Sequence, residues 1–211
     1  IMKKNHNPYI EHIMNEVGYV FSIIDREISS KTYGCADRTY WCWKFTDFPG
    51  ARFQEILYTL TWLYTYNSDN NKYYKNKILF EYIQAGFNYW TKIQNPNGSY
   101  NEAYPNENSL AATAFTLFYI TESFFLVQDN ISADTKLNLI KSIDKASYWL
   151  CKNDETHGFL SNHLAAASAG LYNSFLVINK KEYKSRYKYF LQKIISNQSE
   201  EGWYLEYGGA D

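Results

Sequence analysis

The chain has 211 residues, with 21 Lys and Arg against 22 Asp and Glu, so its formal net charge is −1. That length suits one domain with a substantial core, and the balanced charge argues against the basic face that a dedicated nucleic-acid binder needs. Hydrophobic residues at 45% and charged residues at 20% exclude a disordered or collagen-like chain, whereas the aromatic share of 19% is high and falls largely in polar loops.

Periodicity predicts helices almost throughout and no strand ladder. A helix over 8–29 opens the chain. Three segments, 51–66, 109–127 and 163–178, are apolar nearly all round, which requires enclosure on every side. Three others carry one apolar stripe and a polar back: 74–93 (Leu79, Ile83, Phe87, Trp90), 135–151 (Leu139, Ile143, Ala146, Leu150) and 182–197 (Tyr183, Tyr187, Phe190, Ile194). Inner and outer helices therefore alternate along the chain. Small residues such as Ala112, Ala114, Ala166 and Gly170 let the inner ones approach closely. The expected fold is all-α, an incomplete α/α toroid of about three and a half helical hairpins, with a helical solenoid as the competing architecture. Residues 1–211 read as a single toroid domain. Its tail stops inside a loop with no inner helix after it, which predicts truncation at the C-terminus.

Cys35, Cys42 and Cys151 form no Cys-x-x-Cys pair and read as reduced thiols. Asn5-His6-Asn7-Pro8 follows the first lysines where a secretory signal would be apolar, and no uninterrupted apolar run reaches the roughly 18 residues of a membrane span. A soluble, cytoplasmic protein without membrane insertion is expected.

The alternation sorts the loops. Links from inner to outer helices (67–71, 128–133, 179–181) are short and bland, whereas those from outer to inner helices (30–50, 94–108, 152–162 and the tail 198–211) are long and rich in aromatic and ionisable residues. A glycine followed by an aromatic recurs in them: Gly98-Ser99-Tyr100, Gly158-Phe159 and Gly202-Trp203, spaced 60 and 44 residues apart. All rich loops should emerge at one end, and that face is the predicted site.

Candidate residues follow from composition. Arg38, Trp41, Trp43, Lys44 and Arg52 suit a sugar site, because rings stack on pyranose faces while cations grip carboxylate or sulfate. Their competing role is a plug of aromatics and ion pairs closing the toroid end. Tyr100, Glu102, Tyr104 and Glu107 cluster ahead of an inner helix that Asn108 or Ser109 would cap. Ser161-Asn162-His163 opens another inner helix, where an anion would be attracted. In this segment Asn162 and His163 form a functional pair, or Ser161 or Asn162 is simply the cap. Trp203, Glu206 and Tyr207 complete the face, while His157 reads as plain loop. His-Glu-x-x-His, Gly-x-Ser-x-Gly and phosphate-loop motifs are absent, as is any convincing zinc spacing, so neither a metal nor a cofactor is expected.

Trp41-Cys42-Trp43-Lys44 with Asp47 and Arg52-Phe53-Gln54-Glu55, Gly98 through Glu107, Ser161-Asn162-His163 and Gly202 through Asp211 resemble the helical toroid domain of heparinase II/III-like polysaccharide lyases. The resemblance is closer to uncharacterised relatives from bacterial surface-polysaccharide loci. It implies β-elimination from uronic-acid polymers, with Asn162 neutralising the carboxylate, His163 as base or second neutraliser, and Tyr104 or Tyr100 as proton donor. The partner is then an acidic oligo- or polysaccharide. Two other readings stand beside this one. An inverting glycoside hydrolase needs facing carboxylates about 6.5–9.5 Å apart, drawn from Asp47, Glu102, Glu107 and Glu206. A non-catalytic glycan-binding or scaffold module needs none.

Overall fold

The computed structural model describes residues 8–207, 209 and 210, so Gly208 and Asp211 of the tail motif lie outside the described residues. The fold is all-α. Its helices are α1 (Pro8–Ser22), α2 (Arg38–Trp41), α3 (Ile56–Thr65), α4 (Lys77–Lys92), α5 (Leu110–Val127), α6 (Ala133–Lys152), α7 (Ser161–Ile178) and α8 (Lys181–Ile195). A two-residue hairpin of β1 (Leu205–Glu206) and β2 (Gly209–Ala210) follows.

Helices α3, α5 and α7 form an inner layer in which α5 packs on both α3 and α7; α4, α6 and α8 form an outer layer. Buried residues from Val17 to Ile194 make one hydrophobic cluster. By length and composition α5 is apolar enough to cross a membrane, yet 67% of it is buried between neighbouring helices, as an enclosed core helix must be. The inner helices pack closely because of small residues. A Cβ on Gly170 would sit 3.2 Å from Leu117 Cγ and from the Phe118 nitrogen. Buried Asn173 donates to Thr121 Oγ1 (3.1 Å) and Glu122 Oε1 (2.7 Å), which fixes the register of α7 along α5.

Side-chain caps end the helices where the sequence offers them. Asn76, Ser109 and Ser132 accept backbone N–H bonds at the starts of α4, α5 and α6, and Asn179 closes α7 in the left-handed conformation (φ +61°). Four expectations need correction. The opening helix stops at Ser22. The 51–66 helix begins as a 3-10 turn, Ala51–Glu55, because Gln54 is a buried staple: its Oε1 accepts from the Ala36 nitrogen (2.7 Å) and its Nε2 donates to the Gly34 and Gly86 carbonyls (both 3.1 Å). The first rich loop contains α2, whose cap Asp37 accepts from Thr39 and Tyr40 and clips Gly50 (2.8 Å). Finally, α7 is preceded by Leu160 with no side-chain cap, not by Ser161 or Asn162.

The glycine repeat is structural in two copies. Gln94 Nε2 donates to the Gly98 carbonyl (3.0 Å) and Gln198 Nε2 to that of Gly202 (2.9 Å), with both glycines at positive φ. Gly158 lacks that glutamine. At Gly98 (φ +101°) an added Cβ would meet the Lys145 carbonyl oxygen at 2.4 Å. Gly98→Ala is therefore expected to cost about 3 kcal/mol, from strain and a backbone clash together. Gly18→Ala, in open space within α1, should gain about 0.5–1 kcal/mol. Denaturant unfolding of both variants checks the pair.

Candidate active site

The three inner helices start on the same side, so the chain entering each one contributes to a common cavity of about 360 Å³. Arg52 comes from the 3-10 turn, Glu102, Tyr104 and Glu107 from the loop before α5, Glu155 and His157 from the loop before α7, His163 from the first turn of α7 and Tyr207 from the tail. This is the face that the loop alternation singles out.

Glu155 organises the cavity. Its side chain is 2% exposed and bridges two imidazoles, Oε1 to His157 Nδ1 (2.9 Å) and Oε2 to His163 Nδ1 (2.6 Å). Oε1 also accepts from the Thr156 and His157 nitrogens (both 2.9 Å). Burial opposes its ionisation, but the hydrogen bonds from His163 and His157 outweigh it and hold the carboxyl below its ordinary value. An ionised carboxylate only accepts, so the proton at that contact belongs to His163 Nδ1 and leaves Nε2 as the basic nitrogen. His163 keeps 17% of its side chain exposed, toward the cavity that it lines.

Half-buried Phe115 packs against both Arg52 and His163. The Arg52 guanidinium lies 4.0 Å from its ring centroid, and the His163 ring meets it edge-on at 6.0 Å. Arg52 pairs with Glu55 through Nε and reaches Glu102 more loosely, at 3.6 Å. Burial raises the Glu55 carboxyl, with the Arg52 hydrogen bond opposing. Glu107 Oε2 accepts from the Glu102 and Ala103 nitrogens (both 2.8 Å) and shapes the loop that presents Tyr104, which is 67% exposed.

The structure thus gathers His163, Tyr104, Arg52, Glu102, Glu107 and Tyr207. It does not gather the others. Asn162 follows Ser161 round the helix, about 100° from its neighbour His163, and lines a separate apolar groove with Tyr204 and Glu206. Its backbone nitrogen donates to Glu206 Oε1 (2.7 Å), so Glu206 satisfies the start of α7. Tyr100 is fully buried, stacked 4.7 Å from Trp90, and burial pushes its hydroxyl well above the ordinary value; it belongs to the core.

The first-loop residues hold their own loop together. Arg38 donates to the Ser22 carbonyl (2.6 Å) and lies over Trp43; Trp41 Nε1 donates to the Ile23 carbonyl (2.8 Å); Lys44 lies over Tyr40. None of the four lines the His163 cavity. Trp203 packs beside Glu201, with Nε1 donating at 3.3 Å. Glu155 and Phe115 are not among the sequence candidates, and His157, read there as plain loop, lines the cavity. The usable signal was a Glu and a His within the rich loop that leads into His163. The three cysteines are free thiols, and among the described residues no group of His, Cys, Asp and Glu is arranged to hold a metal.

Neither a curated protein nor a solved structure matches the chain. The family model described as the ulvan lyase N-terminal domain matches residues 20–209. It is not the heparinase II/III-like family that the motifs resemble, so that expectation holds only at the coarser level of a polysaccharide-lyase-related domain. Because the match runs from α1 through the terminal hairpin and takes in every residue of the His163 cavity, the chain belongs to the ulvan lyase N-terminal domain family.

Proposed function

We propose that the His163 cavity binds an acidic polysaccharide and cleaves it by β-elimination. The observation that carries this reading is the Glu155 carboxylate fixed on His163 Nδ1 in a cavity that also presents an arginine and an exposed tyrosine. The uronic carboxylate docks at Arg52. Its 3.6 Å contact to Glu102 is looser than a hydrogen bond and can be exchanged for the ligand, whereas the Glu55 contact stays. Neutralising that carboxylate acidifies the proton on C5. His163 Nε2 removes it, the C4–O bond breaks as the C4=C5 double bond forms, and Tyr104 protonates the departing oxygen. Arg52 takes the neutralising role that the family resemblance implies for Asn162. The polymer named in the family description, ulvan, is the first substrate to test.

The assay is release of ultraviolet-absorbing unsaturated ends from ulvan and from uronic-acid polymers. His163→Ala should abolish it. Glu155→Gln, which keeps the shape but loses the charge that holds the imidazole, should lower kcat about 10- to 100-fold with little change in KM. New reducing ends without unsaturation would support the hydrolase reading instead, and binding without product the module reading.

Glu155 also predicts a pH effect on stability. Its folded value lies below the ordinary 4.5, so its contribution is complete above that pH and is lost as pH falls through the lower folded value. Acidification from about pH 6 to about pH 3 should therefore lower the Tm of the wild type more than that of Glu155→Gln.

A further inference from the structure

The outer helices α6 and α8 together carry nine Lys and Arg against three Asp and Glu, a net charge of +6 in a chain whose whole net charge is −1. We infer that their exposed surface is a docking face for an anionic phospholipid membrane, on which the protein lies without inserting a helix. Segregation of this kind marks a surface for an anionic partner more than it marks ordinary solvation.

Spacing and packing gather the charge on one face. Leu137, Lys141, Lys145, Tyr148 and Lys152 follow at steps of three or four residues along α6, so they form one stripe, and all five are exposed. Helix α8 lies beside it: the Tyr183 hydroxyl donates to the Asp144 carbonyl (3.0 Å) and Arg186 Nε to that of Leu150 (3.0 Å). Its outward side adds exposed Lys181, Lys188 and Tyr189. Nearby acids are largely neutralised, Asp144 by Lys180 and Asp154 by Arg186 (both 2.7 Å). The exposed acids of the two helices are Asp134, in the first turn of α6, and Glu182. Among the described residues no carboxylate pairs with Lys141, Lys145, Lys152, Lys181 or Lys188.

The apolar and aromatic members decide the kind of anion. Leu137, Tyr148 and Tyr189 each expose about half of their surface. The Lys152 ammonium lies 5.2 Å from the Tyr148 ring centroid, so cation and ring present themselves together. Against a soluble polyanion these apolar surfaces would stay in water. At a bilayer the lysines reach the phosphates while the leucine and the tyrosine rings settle among the headgroups. No residue of α6 or α8 lines the His163 cavity, so docking on this face leaves the cavity open.

The test is co-sedimentation of the whole chain with vesicles of equal parts phosphatidylglycerol and phosphatidylcholine, and of phosphatidylcholine alone. The wild type should bind the first and not the second, and binding should weaken as salt rises. Lys145→Glu with Lys188→Glu should weaken it at least about tenfold. The same charge change elsewhere, Lys31→Glu with Lys72→Glu, should leave it within about twofold. Circular dichroism checks that each variant keeps the wild-type helix content. Tyr148→Ser with Tyr189→Ser should weaken binding to the anionic vesicles but not to soluble polyphosphate. No vesicle binding by the wild type, or equal losses in the two charge-reversed variants, overturns the docking face. Vesicle binding that the tyrosine changes leave intact assigns the face to a soluble polyanion and overturns the membrane.

Discussion

The close, parallel contact between α5 and α7 is the constraint on which the site depends. Gly170 seats against Leu117 and Phe118, and Asn173 locks onto Thr121 and Glu122, so the two helices can neither separate nor slide. Their starts are therefore held side by side, and the loops entering them must meet. Tyr104 and Glu107 reach the cavity through one loop, and Glu155 through the other. Helix α3 extends the same arrangement: the nitrogen of Ala51 donates to the Asn101 carbonyl (3.0 Å), tying the turn that carries Arg52 to the loop that carries Glu102. The outer helices contribute the other half, since each returns the chain to the same end before the next inner helix begins.

Within that frame the charge arrangement is economical. The cavity holds one guanidinium against several carboxylates, so an acidic ligand is not drawn in by net charge alone. Most of the carboxylates are already committed: Glu55 to Arg52, Glu107 to backbone nitrogens, and Glu155 to two imidazoles and two backbone nitrogens. Each bond that satisfies a carboxylate also places a neighbour, and Glu155 does this for His163. A buried carboxylate without such partners would be costly and would tend to take up a proton.

The helices and the face were legible in the sequence because both signals are local. Apolar periodicity reports which side of a helix is covered, and loop composition distinguishes the two ends once inner and outer helices alternate. Individual roles were less legible. Tyr100 and Tyr104 stand four residues apart in one aromatic loop, yet one is core and the other exposed, and composition cannot separate them. Asn162 and His163 are adjacent in sequence but diverge around the helix into different cavities. The capping of α7 comes from Glu206, more than forty residues downstream, which no local pattern announces. Glu155 was missed for the same reason: its importance arises from burial between two histidines, and burial of a loop carboxylate is a tertiary property.

The most direct test of the account is the tautomer of His163, read from its imidazole nitrogen resonances by NMR at a pH where the ring is neutral. The account predicts the proton on Nδ1, held by Glu155, with Nε2 unprotonated, and loss of that preference in Glu155→Gln. A wild-type ring protonated on Nε2 would contradict it, because the nitrogen left for the cavity would then be a donor and could not remove a proton from a substrate.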